Sequence, residues 1–322
     1  MNEKPTMRAI TQDAFGGPEV LRLTELPRPE PVPHEVLVRV HAAGVNPVDW
    51  KTREGGGMAG ALGAPPFVLG WDVSGVVEQV GFGVHTLEVG DEVYGMPLFP
   101  REAGAYAEYV TAPARHFARK PATLDHDHAA AVPLAALTAW QALTVTAGVR
   151  AGQRVLIHGA AGGVGHFAVQ FARHLGAHVI GTASAPKHAW LRALGADEVV
   201  DYTAVRFEDV VRDVDVVLDL IGDEHDRTST RSLATLRPGG ILVAVPSGVS
   251  PALVEEARER GVRASAYLVE PDGESLATIA ELIDKGGIGV EVEAVLPLAE
   301  AAEAHRRGER GRTRGKLTLH LA

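Results

Sequence analysis

The sequence predicts an α/β protein in two parts: a β-rich part, and a doubly wound parallel sheet with helices between its strands. Three observations predict it. Short apolar runs at 155–157, 179–181, 198–200, 214–220 and 241–245 alternate with stretches of helical spacing, the pattern of stacked βαβ units. The first run breaks into Gly159-Ala160-Ala161-Gly162-Gly163-Val164-Gly165, then resumes with apolar or small residues at Val164, Phe167, Ala168, Phe171, Ala172 and Leu175, which is helical spacing. Residues 7–110 instead carry alternating runs such as 35–41, with turn signals at Gly16-Gly17-Pro18, Gly55-Gly56-Gly57 and Gly90-Asp91.

In chain order, residues 1–6 read as a lead-in and the β-rich part follows. Residues 124–147 change texture to an alanine- and leucine-rich helical stretch, after which the parallel sheet begins. Beyond it, residues 276–283 have helical spacing, 290–295 read as a strand, 299–305 as a helix and 317–321 as a strand. No internal repeat or low-complexity tract interrupts this order.

A chain of 322 residues is long for one domain, so two are expected. No apolar run approaches the length of a membrane span, and the first residues lack a basic-then-apolar signal pattern, the expectation for a soluble cytoplasmic enzyme. The absence of cysteine removes disulfides and thiolate zinc sites together. With 41 acidic residues against 31 basic ones and a net charge of −10, neither nucleic acid nor a membrane is expected as partner. The local cluster Arg306, Arg307, Arg310, Arg312, Arg314 and Lys316 reads as the coat of a C-terminal helix and turn, one member of which could reach a cofactor phosphate.

A strand, a tight glycine turn and a helix start make a site for a pyrophosphate. Glycines let the backbone approach the anion, and the helix end supplies free N–H groups and positive potential. The next run, 178–184, is then the second strand. NAD-binding versions place an acid near its end for the ribose hydroxyls, about 20 residues beyond the turn. Here stand Thr182, Ala183 and Ser184, then Lys187, with no acid before Asp197. A hydroxyl and an ammonium suit a 2′-phosphate that a carboxylate would repel, so the expected cofactor is NADPH. Ser184 as a plain helix cap is the alternative.

Seven motifs in register carry a family resemblance from about Met7 to the end. They are Gly44-Val45-Asn46-Pro47-Val48-Asp49, Leu69-Gly70-Trp71-Asp72-Val73-Ser74-Gly75-Val76-Val77, Val89-Gly90-Asp91-Glu92-Val93-Tyr94-Gly95, Gly104-Ala105-Tyr106-Ala107-Glu108-Tyr109, Leu137-Thr138-Ala139-Trp140-Gln141-Ala142-Leu143, the glycine turn, and Leu194-Gly195-Ala196-Asp197. Together they resemble the medium-chain dehydrogenase/reductase superfamily. The resemblance implies a barrel-like (GroES-like) catalytic domain at 1–127, a Rossmann dinucleotide-binding domain at 128–270, and a return at 271–322 that completes the catalytic domain.

Within the superfamily the chain resembles the zinc-independent quinone oxidoreductase and alkenal reductase branch. The zinc-binding branch has a cysteine where this chain has Asn46, and Gly-His-Glu where it reads Gly70-Trp71-Asp72; the stretch at 97–105 lacks the four cysteines of a structural zinc lobe. Asn, Trp and no thiolate do not make a zinc site, which usually needs four strong donors. Two histidine groups invite the same question. Asp125-His126-Asp127-His128 reads as a polar loop before a helix, and His174 and His178 are separated by a helix end, so no metal is expected at either.

Without a Lewis acid to polarise an alcohol, a nicotinamide suits conjugate reduction. The acceptor must lie flat over the nicotinamide, away from water, with its developing oxyanion stabilised. The resemblance implies that residues 46–51 face that cleft. Asn46 would bond the nicotinamide ribose or the substrate oxygen, Lys51 would act electrostatically or in proton relay, and Trp50 and Trp71 would wall an apolar pocket. Asn46 as a turn residue, Lys51 as a solvated side chain and the tryptophans as core packing are the plainer readings. For the cofactor the resemblance implies Gly162, Gly163 and Val164 at the pyrophosphate, Ser184 and Lys187 at the 2′-phosphate, and Tyr202 at the adenosine end. Thr138, Gly222, Val245, Ser247, Leu268, Val269 and Lys316 complete the implied set, Leu268 and Val269 offering backbone groups to the nicotinamide amide.

The expected activity is NADPH-dependent reduction of a small-molecule quinone or α,β-unsaturated carbonyl. A stand-alone enoyl-thioester reductase of polyketide-type synthesis, or an idle NADPH-binding sensor or structural protein, are the other readings. Family members usually pair the last strands of their dinucleotide domains, so a homodimer through residues 264–269 is expected.

Overall fold

The computed structural model describes residues 5–246 and 248–321. They divide into two compact units. One takes the described residues up to Leu137, with Glu270–Gly286 and the described residues from Val290 onward; the other takes Thr138–Val269 and Gly287–Gly289. The first unit ends at Leu137, within the helix Pro133–Gln141, whose start is held by Asp72 through the N–H of Leu134.

The first unit is built on the eleven-residue strand Glu35–Val45. It pairs antiparallel with Asp72–Val80, with Tyr109–Pro113 and with Lys316–His320. The chain of pairs continues through Glu92–Gly95 to Phe117–Arg119 on one side and to Val292–Pro297 on the other. A smaller sheet joins Arg22–Pro27, Thr6–Gln12 and Phe67–Val68. Alternation at 35–41 predicts one buried face, yet Val36, Leu37 and Val38 are all buried. Apolar residues cover both faces of this strand, leaving Arg39 as its opening to solvent. The strand register sets Gly44 opposite Asp72, and Val45 opposite Leu317. Three strand ends therefore deliver Asn46, Asp72 and Lys316 to one edge of the sheet.

In the second unit six parallel strands stand in the order Glu198–Val200, His178–Thr182, Arg154–Ile157, Val214–Asp219, Leu236–Ala244, Arg263–Ala266. In chain order that is 3-2-1-4-5-6, a doubly wound sheet. Leu156, Ile180, Phe207, Val217, Leu233 and Leu242 pack in one core cluster beneath it. The helical residues His126–Thr146 do have the length and apolarity of a membrane span, which corrects the reading that no run approaches it. They are mostly buried within the protein, and that burial accounts for their composition.

Candidate functional site

The helix Gly163–His174 starts from Gly162 directly after the first parallel strand. A side-chain carbon at Gly165 would lie 2.2 Å from the carbonyl oxygen of Gly159, so only glycine lets the helix start rest against the turn. The N–H groups of the first helical residues have no partners inside the helix and form its positive end. Gly162, Gly163 and Val164 stand there half-buried. Strand order reverses at this strand, the place where doubly wound sheets take their ligands. The turn fits a dinucleotide pyrophosphate.

Around the turn the polar side chains sort into inward and outward sets. His158 is buried; its Nδ1 lies 3.2 Å from the Thr182 hydroxyl and its Nε2 2.9 Å from the Ser232 hydroxyl. The Ser232 proton goes to the carbonyl of Thr228, so Nε2 donates to Ser232 and Nδ1 accepts from Thr182. Burial pushes this imidazole down to about 4 and keeps it neutral. Thr182 is thereby drawn inward, leaving Ser184 and Lys187, both half-buried on the turn Ala185–Lys187, as the pair at the second strand's end. Buried Asp219 accepts from the N–H groups of Ile221 and Gly222 at 2.8 and 3.1 Å and fixes the loop carrying Gly222. Tyr202 is 60% exposed beside a cavity of about 460 Å³ shared with Arg206, Asp226 and Arg231. Val245 is half-buried, Leu268 exposed, and Thr138 and Val269 buried. Ser247 lies outside the described residues.

The first unit holds a knot of buried charges. Lys316 donates to the carbonyl of Val45 at 3.0 Å and to Oδ1 of Asn46, and lies 3.6 Å from Asp72. Asn46 Nδ2 donates to Asp72 Oδ2 at 2.8 Å, and the Leu134 N–H donates to Asp72 Oδ1 at 2.7 Å. Gly44 makes room for this, since a side chain there would meet Asp72 at 2.8 Å and the carbonyl of Ala130 at 2.3 Å. Burial pushes the Asp72 carboxyl up and the Lys316 ammonium down, while their mutual attraction favours both charges.

Next to it, Asp49 Oδ2 accepts from the Asn46 N–H at 2.7 Å and the Tyr106 hydroxyl at 2.9 Å. The chain of donors extends further back. Arg53 only donates, so Nδ1 of His305, 3.2 Å away, accepts; Nε2 then carries the proton and donates to Tyr106 at 3.2 Å. Burial holds His305 down to about 3 and Tyr106 well above an ordinary phenol. Oδ1 of Asp49 meets no hydrogen-bond partner among the described residues, and burial pushes this carboxyl up to about 7.

Of the expected site residues, Asn46 from the cleft set and Lys316 from the cofactor set come together in the knot. Lys51 is exposed on the helix Pro47–Arg53 and takes no part in it. Trp50 is half-buried, edge-on to His305 with ring centres 6.2 Å apart. Trp71 is sealed in the core; its indole N–H donates to the carbonyl of Arg101 and its ring meets Phe99 edge-on. Sequence reasoning passed over Asp49, Asp72, Tyr106 and His305 as functional residues. A signal existed for two members of the knot, because Asp72 and Lys316 are single charges at the head of apolar strand runs, and a charge there needs a buried partner. Among the described residues no group of three or more His, Cys, Asp or Glu is placed to hold a metal ion.

Two family descriptions match the chain: "Alcohol dehydrogenase GroES-like domain" over residues 32–122 and "Zinc-binding dehydrogenase" over 194–319. The zebrafish (Danio rerio) protein named NAD(P)H oxidoreductase RTN4IP1, mitochondrial, is 34% identical over 99% of this chain and 92% of its own length. The chloroplastic NADPH-dependent alkenal/one oxidoreductase of Arabidopsis thaliana is 34% identical over 98% of this chain and 79% of its own. Among solved structures, the quinone oxidoreductase from Coxiella burnetii superposes with a TM-score of 0.92 at 38% identity, covering 99% of this chain and all of the other. The chain belongs to the medium-chain dehydrogenase/reductase family, in its quinone oxidoreductase and alkenal reductase branch.

Proposed function

We propose that this chain is an NADPH-dependent reductase that transfers hydride to quinones or to the C=C bond of α,β-unsaturated aldehydes and ketones, and that it does so without zinc. The observation that carries the reading is the glycine turn at the reversal of strand order, backed by relatives named as an NAD(P)H oxidoreductase and an NADPH-dependent alkenal/one oxidoreductase. When bound, the dinucleotide supplies the hydride. The helix start at Gly162, Gly163 and Val164 would hold its pyrophosphate, and Ser184 and Lys187 its 2′-phosphate, with Tyr202 beside the adenosine. Thr138, Gly222, Val245, Ser247, Leu268 and Val269 complete the proposed cofactor contacts; Lys316, the other residue expected among them, is engaged in the buried knot with Val45, Asn46 and Asp72.

In the first unit Asn46 is the proposed fixed polar group toward the acceptor, with Lys51 as an exposed cation that attracts developing negative charge. Trp50 walls the pocket in this proposal, whereas Trp71, sealed in the core against Phe99 and the Arg101 carbonyl, takes the core-packing role. The zinc-free part gains support from the knot. At the positions where a metal would need donors, Asn46 and Asp72 already bind the ammonium of Lys316, and a second cation beside it would be repelled. The proposed homodimer pairs residues 264–269 across subunits, and the strand Arg263–Ala266, which overlaps that segment, ends the sheet with one neighbour among the described residues; a monomer in sedimentation at micromolar concentration removes it.

The test is loss of reduced-nicotinamide absorbance with a quinone, a short alkenal, an enone and an enoyl thioester, NADH run in parallel and a chelator in a duplicate set. Turnover with NADPH on a quinone, alkenal or enone is expected, unchanged by the chelator. Turnover on the thioester alone would reassign the substrate, and NADPH binding without any turnover would remove the reductase reading.

A further inference from the structure

The amide of Asn46 has one permitted orientation, and its neighbours' chemistry sets it. An ammonium has only protons to offer, so the atom facing Lys316 is the carbonyl Oδ1. A carboxylate has only lone pairs, so the atom facing Asp72 is Nδ2. Both contacts are present, the second at 2.8 Å. A flipped amide would set N–H against ammonium and lone pair against carboxylate, losing both bonds where Asn46, Asp72 and Lys316 are 1%, 0% and 3% exposed. The lock is itself anchored, Asp72 by the Leu134 N–H and Lys316 by the Val45 carbonyl. One Nδ2 proton goes to Asp72. The other meets no second acceptor among the described residues.

We propose that Asp72 and Lys316 are positioning residues for the reduction: they lock the Asn46 carboxamide so that it turns its remaining N–H, a donor and never a lone pair, toward the oxygen that gains charge in the acceptor. The inference rests on the reductase reading above. As the acceptor's β-carbon takes up the hydride pair and the dinucleotide is left oxidised, the displaced π pair settles on that oxygen. A solvent proton completes the product, and Asn46 keeps both of its own. A fixed donor in an enclosed site favours the charged oxygen over the starting carbonyl. A free amide would offer that oxygen its lone pairs in one of its two orientations.

The test exchanges the two side chains. In Asn46→Asp/Asp72→Asn, the new carboxylate at 46 accepts from Lys316 and from the new amide at 72, whose oxygen still accepts from Leu134. Charge and hydrogen-bond number are kept; the free N–H leaves position 46 and goes with the amide to position 72. The expected result is a melting temperature and NADPH affinity close to wild type, with kcat on the best acceptor lower by about a hundredfold. A swap variant with wild-type kcat overturns the inference, because a purely structural knot is restored by the exchange. Should the swap not fold, Asp72→Asn/Lys316→Met removes both charges together and frees the amide to flip. A kcat at least tenfold lower with NADPH affinity kept supports the lock, and wild-type kcat overturns it. A wild-type protein that reduces none of the acceptors sinks the reductase reading and this inference together, whereas an active wild type with an active swap sinks the inference alone.

Discussion

The glycine turn of the second unit and the charged knot of the first both enclose polar groups, one with backbone and the other with side chains. At the turn, what matters is the absence of atoms: a carbon at Gly165 would stand 2.2 Å from the Gly159 carbonyl. At the knot, what matters is the presence of every partner: Lys316, Asp72 and Asn46 each satisfy the other two. The turn should therefore fail through added volume, and the knot through lost or mismatched charge.

Gly165→Val is the strongest way to break the first half of that contrast. The added carbons must push the helix start away from the turn, so NADPH affinity should fall by more than a hundredfold, with stability lowered by the same displacement. Isothermal titration and a thermal melt read the two effects separately. A Gly165→Val variant that binds NADPH as wild type does would show that close approach at the turn is not needed.

Lys316→Met attacks the other half. It keeps the length of the side chain and strands Asp72 as an unpaired buried carboxylate, which costs up to about 5 kcal/mol. Urea titration should show it directly, and a loss below about 1 kcal/mol would mean that the pair is not charged in the folded protein.

The same contrast explains what the sequence could reveal. The turn's determinants lie within one short stretch, from the run at 155–157 through Gly165 to Leu175, so spacing alone exposes them. Lys316 and Asn46 are 270 residues apart and meet only because the antiparallel register sets Val45 opposite Leu317 and Gly44 opposite Asp72. No local pattern encodes that register: a charge at the head of an apolar strand run calls for a buried partner, but nothing local says which residue that partner is. Asp49 and Tyr106 are hidden for the same reason, since their bond joins a helix start to a distant loop. The strands of the parallel sheet, in contrast, announced themselves as apolar runs that fall within a few residues of the observed strands, from Arg154–Ile157 to Leu236–Ala244. Thr182 shows where residue type alone misleads: its hydroxyl suits a phosphate on paper, yet it turns inward to His158.

Asp49 sharpens the comparison through pH. Its neighbours are the Asn46 N–H, Tyr106, and the nearby charges of Asp72 and Lys316, and burial holds its proton to about pH 7 against an ordinary value of 3.8. Between those values the unfolded chain has released the proton and the folded chain keeps it. Stability from this group is thus full below about pH 4, falls as pH rises, and is level above 7. The total is roughly 4 kcal/mol. Asp49→Asn, neutral at every pH, should lack this slope, so the difference in unfolding free energy between variant and wild type should move in the variant's favour from pH 4 to 7. A difference that stays constant across the window would show that Asp49 is ionised throughout.

Lys187→Ala returns to the turn's side of the molecule with a smaller effect. Removing one charge-assisted contact to a 2′-phosphate should raise the KM for NADPH by roughly tenfold while leaving that for NADH nearly unchanged. Equal changes for both cofactors would refute the phosphate assignment.

Lys51→Ala should do least, and its size separates a knot residue from a merely neighbouring one. Lys51 shares the helix Pro47–Arg53 with buried Asp49 and Arg53, but it points to solvent. Exposed charges are screened and are worth at most about 1 kcal/mol, so kcat should fall by less than about fivefold and the melting temperature should hold. The salt dependence carries the diagnosis. A loss that shrinks as ionic strength rises marks Lys51 as a long-range attractor of the developing oxyanion. A loss of a hundredfold, unaffected by salt, would instead mean that Lys51 reaches the acceptor directly, and the catalytic weight assigned to the buried knot would then have to move to the exposed face of the same helix.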